Sequence, residues 1–281
     1  MAPQPPYPDV FGESRYYITS EHMKAFRARL FSDARRKDTA CYHPDDKQRL
    51  LSSDEYCWRF IVHNRLDLDR AVKMADASLK WRAQARLHEL SEANIPEACL
   101  SAGFAYPMNL DRYGNHVLLL RLSKTGRLPL QDVRRLLIFM VESLLRKQNA
   151  SRITLLVDCA AADRRQLDLA RFLTAIFRCY YPRSLGYVLF WEPPRLLLGL
   201  WRICRSLLPV EAVERVRNVT AGDATRYIDC DKLPTWMGGT DSYQYVYTPG
   251  QPLGDRCPRL QPLDPGSSPS ANLQVYGMFT A

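Results

Sequence analysis

The chain lacks most of the signatures that announce an enzyme. No Gly-x-Gly-x-x-Gly and no Gly-Lys-Ser/Thr loop occurs in its 281 residues, which argues against the usual modes of dinucleotide or nucleoside-triphosphate binding. No Gly-x-Ser-x-Gly elbow occurs, which argues against an α/β-hydrolase. The five histidines, His22, His43, His63, His88 and His116, show no metal-ligand spacing, so neither a metal nor a cofactor is expected. The eight cysteines (41, 57, 99, 159, 179, 204, 230 and 257) include no closely spaced pair, and most lie in apolar runs. Reduced thiols of a cytosolic protein fit that pattern better than disulfides or zinc. No apolar run reaches the roughly 20 residues that a membrane-spanning helix needs. The N-terminus, Met-Ala-Pro-Gln-Pro-Pro-Tyr-Pro, has neither a basic segment nor an apolar run, so no secretory signal is expected. There is no internal repeat.

What is present is an ordinary globular composition, 46% hydrophobic and 25% charged, with an excess of base: 39 Lys and Arg against 30 Asp and Glu, a net +9. Such a balance favours an anionic partner. The basic residues are dispersed and no nucleic-acid motif accompanies them, so an anionic membrane surface is expected and nucleic acid is not.

Read in order, residues 1–19 are Pro-rich and expected to be flexible. A helix capped by Ser20 is expected to run to about Asp38, with Met23, Phe26 and Leu30 on one side. Ser52 and Glu55 form a capping box before Tyr56–Val62. Asp67 caps a helix from Leu68 to Arg86 whose Ala71, Val72, Ala75 and Leu79 fall at helical spacing. Residues 20–90 thus form a small helical subdomain. In residues 91–247 the pattern changes to strands alternating with helices. A turn at Asp111-Arg112-Tyr113-Gly114 precedes a strand from His116 to Leu122. The helical stripe Val133, Leu136, Leu137, Met140, Leu144 leads to a strand Ile153–Val157. The stripe Leu169, Phe172, Leu173, Ile176, Phe177, Tyr180 leads to a third strand, Tyr187–Trp191. A short helix is expected at Glu211–Val216, a fourth strand at 217–220, and a last helical turn or two from Asp223 to Asp229. The order implies an α/β fold with a mostly parallel sheet and flanking helices. Residues 248–281, rich in Pro and Gly and without periodicity, form a loose tail.

One stretch stands apart. After Pro193 and Pro194, residues Arg195 to Leu208 have a helical pattern whose polar or small positions Arg195, Gly199, Arg202 and Ser206 form one narrow stripe, with nearly everything else Leu, Ile, Trp or Cys. A helix that is apolar almost all round is buried or lies against lipid. Two readings fit equally: a core helix of a large domain, or a helix that covers a hydrophobic cavity and touches a membrane.

Asp158 ends a strand and Asp163 follows it, and strand-end carboxylates are sometimes catalytic. Turn capping explains them better. A lone strand histidine such as His116 is more often satisfied or exposed than catalytic. With no catalytic residues assigned, binding is favoured over catalysis.

The order Tyr180-Tyr181-Pro182-x-x-Leu185-Gly186, strand, Pro193-Pro194, apolar helix, Leu233-Pro234 and Gly238-Gly239 resembles the CRAL-TRIO (Sec14-like) lipid-binding family. The strand end Leu156-Val157-Asp158, the Asp111-x-x-Gly114 turn and the Trp81-Arg82 pair carry the same resemblance, which covers roughly residues 50 to 240. The run Met237-Gly238-Gly239-Thr240-Asp241 with Tyr243, Tyr245, Tyr247 and Pro249 is similar to members that also bear a motile sperm domain. The resemblance implies a gate helix closing a hydrophobic pocket over the sheet. It places lipid contacts at Ile153, Leu155, Phe172, Ile176, Val188, Phe190, Leu197, Leu200, Trp201, Cys204 and Leu208. Membrane contact falls to Arg195, Leu196, Arg202 and Arg205 of the gate.

The departures from that family are as informative. The acidic residue that phosphoinositide-binding members carry after Tyr-Tyr-Pro falls at Arg183, the basic residue after the gate at Arg215, and a phosphate-holding Thr at Ala212. The small polar residues that bind phosphatidylcholine fall at Ile153 and Leu155. Arg183 and Arg215 remain as anion contacts, and a different, more apolar lipid is expected. The expected function is non-enzymatic lipid binding, extended to intermembrane transfer, at the cytosolic surface of endomembranes. The alternative is a membrane-associated scaffold or tether, with protein partners engaged through the Pro-rich tail.

Overall fold

The computed structural model describes residues 18–32, 39–147, 152–160, 165–194, 213–251, 253 and 257. They separate into two compact units. One holds the described residues up to Leu90 together with Thr174–Arg183; the other holds those of Ser91–Leu173 and of Ser184–Leu263.

The first unit is helical. Helix α1 (Ser20–Leu30) buries Met23, Phe26 and Leu30. It ends eight residues short of Asp38, with the Phe31 N–H on the Arg27 carbonyl, because the apolar stripe ends there. Helix α2 (Pro44–Ser52) starts on a proline, which has no N–H to leave unsatisfied. Helix α3 (Asp54–His63) is capped by Ser53 rather than Ser52: the Ser53 hydroxyl accepts from the Tyr56 N–H at 3.1 Å. Every residue from Tyr56 to Val62 is buried. Helix α4 (Leu68–Gln84) begins where the Asp67 carboxylate accepts from the Asp69 and Arg70 N–H groups, as its sequence predicts. Its Ala71, Val72, Ala75 and Leu79 close the core against α1 and α3, with Phe26 and Phe60 stacked at 6.2 Å. The Tyr180-Tyr181 segment belongs to this unit. Tyr180 stacks on Trp81 and Tyr181 meets the same indole edge-on at 5.8 Å.

The second unit is a five-stranded sheet in the order β1-β2-β3-β4-β5, formed by β1 (Ala105–Leu110), β2 (His116–Arg121), β3 (Ile153–Asp158), β4 (Leu185–Trp191) and β5 (Val216–Val219). Strand β1 pairs antiparallel with β2; the other pairs are parallel. The mixed, mostly parallel α/β fold is the one the alternating pattern implies. Strand β1 is absent from the periodic pattern because Pro107 interrupts it; β1 lies at the sheet edge, where proline is tolerated. Val216, expected in a helix, instead opens β5. Helices α5 (Glu97–Ser101), α6 (Leu130–Glu142), α7 (Arg165–Cys179) and α8 (Ala221–Ala224) complete the described α-helices. Helix α6 links β2 to β3 and α7 links β3 to β4. Crossovers between parallel neighbours are right-handed, so two successive ones in the same direction lie on one face of the sheet.

The sheet's entry turn is held by Asp111. Its buried carboxylate accepts from Tyr113 N, Asn115 N, Asn115 Nδ2 and Thr154 Oγ1, the last at 2.6 Å. Burial raises its pKa, and the four donors oppose that rise without cancelling it. Gly186 sits against this network: a Cβ there would come within 2.7 Å of Thr154 Oγ1 and 3.0 Å of Asn115 Nδ2. Gly239 is likewise required by close approach, since a Cβ would collide with the Leu233 carbonyl.

Candidate functional site

Registered partners in a sheet point to the same side, so the pairing sorts the strand residues into two faces. On the first, Leu118, Leu155, Val188 and Val216 form one row across four strands, and Leu120, Val157, Phe190 and Asn218 form the next. His116, Ile153 and Leu185 form a third row at the strand starts. On the second face stand Arg121, Asp158, Trp191 and Val219 in one row, with Tyr106 opposite Leu119 at the edge.

The second face is covered by the segment after β5. The Arg121 guanidinium lies 4.5 Å from the Trp236 ring centroid, and Tyr106 stacks on Tyr245 at 4.9 Å. Asp158 serves this packing: its Oδ1 accepts from the Ala160 N–H and its Oδ2 lies 3.7 Å from Arg121 Nε. That is a turn-capping role. Because the second face is taken, the α6 and α7 crossovers lie over the first. Arg134 of α6 reaches over the Phe172 ring of α7 at 5.3 Å.

The first face is apolar and unevenly covered. Leu118, Leu120, Ile153, Leu155 and Val157 are buried, each 5% exposed or less. Val188, Phe190 and Val216, in the same rows, are half-buried, and Asn218 is exposed. The apolar surface therefore opens toward β4 and β5.

Of the expected lipid contacts, Ile153, Leu155, Val188 and Phe190 share this face. Phe172 is half-buried on α7, in the sheet unit. Ile176, buried, belongs to the part of α7 grouped with the helical unit. Leu197, Leu200, Trp201, Cys204 and Leu208 lie outside the described residues, as do Arg195, Leu196, Arg202 and Arg205. Arg215 is buried, and its Nη1 donates to the Leu185 carbonyl at 2.9 Å, bracing the start of β4. Arg183 is half-buried with φ of 56° and belongs to the helical unit.

Two features escape a reading by spacing. Among the described residues, His116 is neither satisfied nor exposed. It is 3% exposed, and both Nδ1 and Nε2 are buried without a hydrogen-bond partner among the described residues. Burial alone pushes its pKa down to about 4, so the ring is neutral. The sequence did carry a signal: His116 alternates in phase with Leu118 and Leu120. The second feature joins His43 and His88, whose rings stack 3.4 Å apart with planes 10° from parallel, each with Nδ1 within 3.8 Å of Asp45 Oδ2. The three side chains could gather round an ion, but in-plane lone pairs of rings stacked this way do not converge on one point. The cluster is anchored instead by buried Asp46, which accepts from Arg82 Nε at 3.0 Å and contacts His88 Nε2 at 2.7 Å.

Residues 100–239 match the CRAL/TRIO domain. Among characterised sequences, the chain is 26% identical over 219 residues to the phosphatidylinositol transfer protein CSR1 of Eremothecium gossypii, covering 68% of this chain and 48% of that one. It thus spans about half of that protein's length. It is 24% identical over 251 residues to CRAL-TRIO domain-containing protein C365.01 of Schizosaccharomyces pombe, covering 80% of this chain and 71% of that protein. The crystal structure of Sfh5 superimposes with a TM-score of 0.61 at 12% identity, over 92% of this chain and 99% of the other, a likeness of fold.

Proposed function

With residues 100–239 forming a CRAL/TRIO domain in a Sec14-like fold, we propose that this chain binds a hydrophobic lipid, without chemistry on it, against the first face of its sheet. The observation that carries the reading is the half-buried apolar patch of Val188, Phe190 and Val216, continuous with a buried apolar face. Apolar sheet surface left partly open in a domain of this family suits a ligand with a long hydrocarbon body. Similarity to a protein named for phosphatidylinositol transfer supports a lipid as the ligand.

The connection from β4 to β5 joins parallel neighbours in the same direction as the two before it. Its sequence, Arg195 to Leu208, is apolar nearly all round, which suits a lid with one side to the ligand and the other to the bilayer. Arg195, Arg202 and Arg205 would draw it to anionic membrane, at about 1 kcal/mol per basic residue near the surface. Ile153 and Leu155 offer no hydroxyl to a phosphocholine group. Arg183 and Arg215, which belong to different units, are each kept as a candidate anion contact, although Arg215 already braces β4. We place the protein peripherally at the cytosolic face of endomembranes. The finer likeness to members with a motile sperm domain rests on the Met237–Pro249 pattern, with Asn94-Ile95-Pro96 and Met74-x-Asp76-x-Ser78-x-x-Trp81-Arg82 in support.

The test is transfer of lipid between donor and acceptor vesicles containing phosphatidylserine. Trp201→Asp and Leu197→Asp should abolish transfer while leaving the circular dichroism and melting of the protein unchanged. Undiminished transfer by both variants refutes the lid.

A scaffold or tether is the second reading. The complete burial of Ile153, Leu155 and Leu118 favours it, since half of the face is already filled by the protein's own side chains. A pull-down comparing the full chain with one ending at Thr248 tests whether the Pro-rich tail recruits partners. Identical partner sets would remove the tail from this role.

A further inference from the structure

The lipid reading leaves one group on the first face without a task. His116 stands in the row of Ile153, next to the row of Leu118, Leu155 and Val188. Every strand residue registered with it is apolar: Leu110 on one side, Ile153 on the other, and Leu185 beyond. Neither ring nitrogen has a hydrogen-bond partner among the described residues, and the residue is 3% exposed. Buried polar groups in folded proteins are nearly always paired, and each exception calls for an ordered water, a ligand or a functional strain. Two orphan nitrogens on one ring, on the face where the ligand is placed, point to a ligand.

Resting on the lipid-binding reading, we propose that His116 is the polar contact of the lipid site and that it selects a lipid whose buried end carries an uncharged hydroxyl or carbonyl. The chemistry follows from the ring. A neutral imidazole has one N–H donor and one bare acceptor nitrogen. A hydroxyl can answer either nitrogen and a carbonyl can answer the N–H. A phosphate or carboxylate offers acceptors only and would bring a charge into an apolar layer, where it is costly without a paired cation. The burial that keeps the ring neutral therefore also sets the class of ligand. A site built to hydrogen-bond an alcohol rejects the matching hydrocarbon strongly, because the polar group is then left unpaired. Apolar Ile153 and Leu155, beside His116, then line the hydrocarbon body rather than a headgroup.

The experiment uses the full chain and two matched pairs of probes carried in phosphatidylcholine vesicles: cholesterol with cholest-5-ene, and 1-octadecanol with octadecane. Native mass spectrometry reads the fraction of protein loaded with each. The wild type should prefer the alcohol of at least one pair by tenfold or more. His116→Leu should bring that ratio to within twofold, and His116→Gln, which keeps a donor and an acceptor, should retain most of it. Loss of folding alone would lower both members of a pair together and leave the ratio standing. Equal loading of alcohol and hydrocarbon by the wild type overturns this inference and leaves the lipid reading intact. So does uptake of neither probe by a protein that carries a lipid from its expression host. Uptake of neither probe by a protein that carries no lipid at all overturns both.

Discussion

Trp81 lies flat on Tyr180, with ring centroids 4.2 Å apart and planes 6° from parallel. Ser78, one turn back on the same helix, donates to the Tyr180 carbonyl at 2.9 Å. Two motifs about 100 residues apart, Trp81-Arg82 and Tyr180-Tyr181-Pro182, are thus parts of one packing unit. Removing the indole takes away the stack on Tyr180 and the edge contact with Tyr181. Trp81→Ala should lower the unfolding free energy by about 2 kcal/mol, below the range for a fully buried tryptophan because this one is half-buried. Trp81→Phe should retain at least half of that. Urea titrations of the two variants check this; equal losses would mean that the stack contributes nothing specific.

Arg82 and Asp46 form a buried ion pair, 2% and 0% exposed, with His88 on the same carboxylate oxygen. Burial alone would raise the Asp46 pKa, but Arg82 and His88 reverse that and hold it below the usual aspartate value. Arg82→Leu leaves a buried carboxylate without its main partner and should cost about 3–5 kcal/mol. Because the folded pKa is depressed, the contribution of Asp46 is present above pH 3.8 and is lost as pH falls through the folded value. Acid titration followed by tryptophan fluorescence should show this loss in the wild type and not in Arg82→Leu with Asp46→Leu.

His116 makes stability depend on pH in a different window. Its pKa is pushed down to about 4 in the fold, while an unfolded chain takes up the proton near 6.5. The unfolded state therefore binds more protons between these values. Stability is at its full level above pH 6.5 and declines as pH falls toward 4, by an amount on the order of 3 kcal/mol. Without lipid, His116→Leu should be more stable than the wild type at pH 7.5, since it removes an unsatisfied polar group, by about 1–3 kcal/mol. The gap should widen toward pH 4.5. Denaturant titrations at both pH values measure it, and a gap that does not change with pH contradicts the burial of a neutral ring.

Gly186→Ala places a methyl group 2.7 Å from Thr154 Oγ1 and 3.0 Å from Asn115 Nδ2, groups held by hydrogen bonds to Asp111. A loss of about 1–3 kcal/mol is expected. Thr154→Ala in the same chain should recover part of it by clearing the nearer contact. Thermal melts of the single and double variants decide this; no recovery would place the strain elsewhere.

Much of the fold was legible because strands and helices alternate in clean periodic runs from His116 onward, and the Asp67 cap reads directly from sequence. Strand β1 was not, because Pro107 breaks the usual strand pattern in Ala105–Leu110. The step from Ser52 to Ser53 as the cap of α3 is invisible in a Ser-Ser-Asp run where either serine fits. The candidate face was partly legible: Ile153, Leu155, Val188 and Phe190 come together through strand register, whereas Val216 was hidden by the reading of 211–216 as a helix. His116 was set aside because burial and lack of partners are properties of the fold, not of a lone histidine in a sequence. The stack of His43 on His88 joins residues 45 positions apart, a distance at which spacing says nothing.

In the proposed function, the half-open apolar face at Val188, Phe190 and Val216 holds a lipid. Native mass spectrometry of the full chain, purified without detergent from its expression host, tests it most directly. A stoichiometric lipid is expected on the wild type, identified by extraction, and none on a folded Phe190→Asp variant. A wild-type protein that is empty, melts cooperatively and takes up no lipid from vesicles would contradict it.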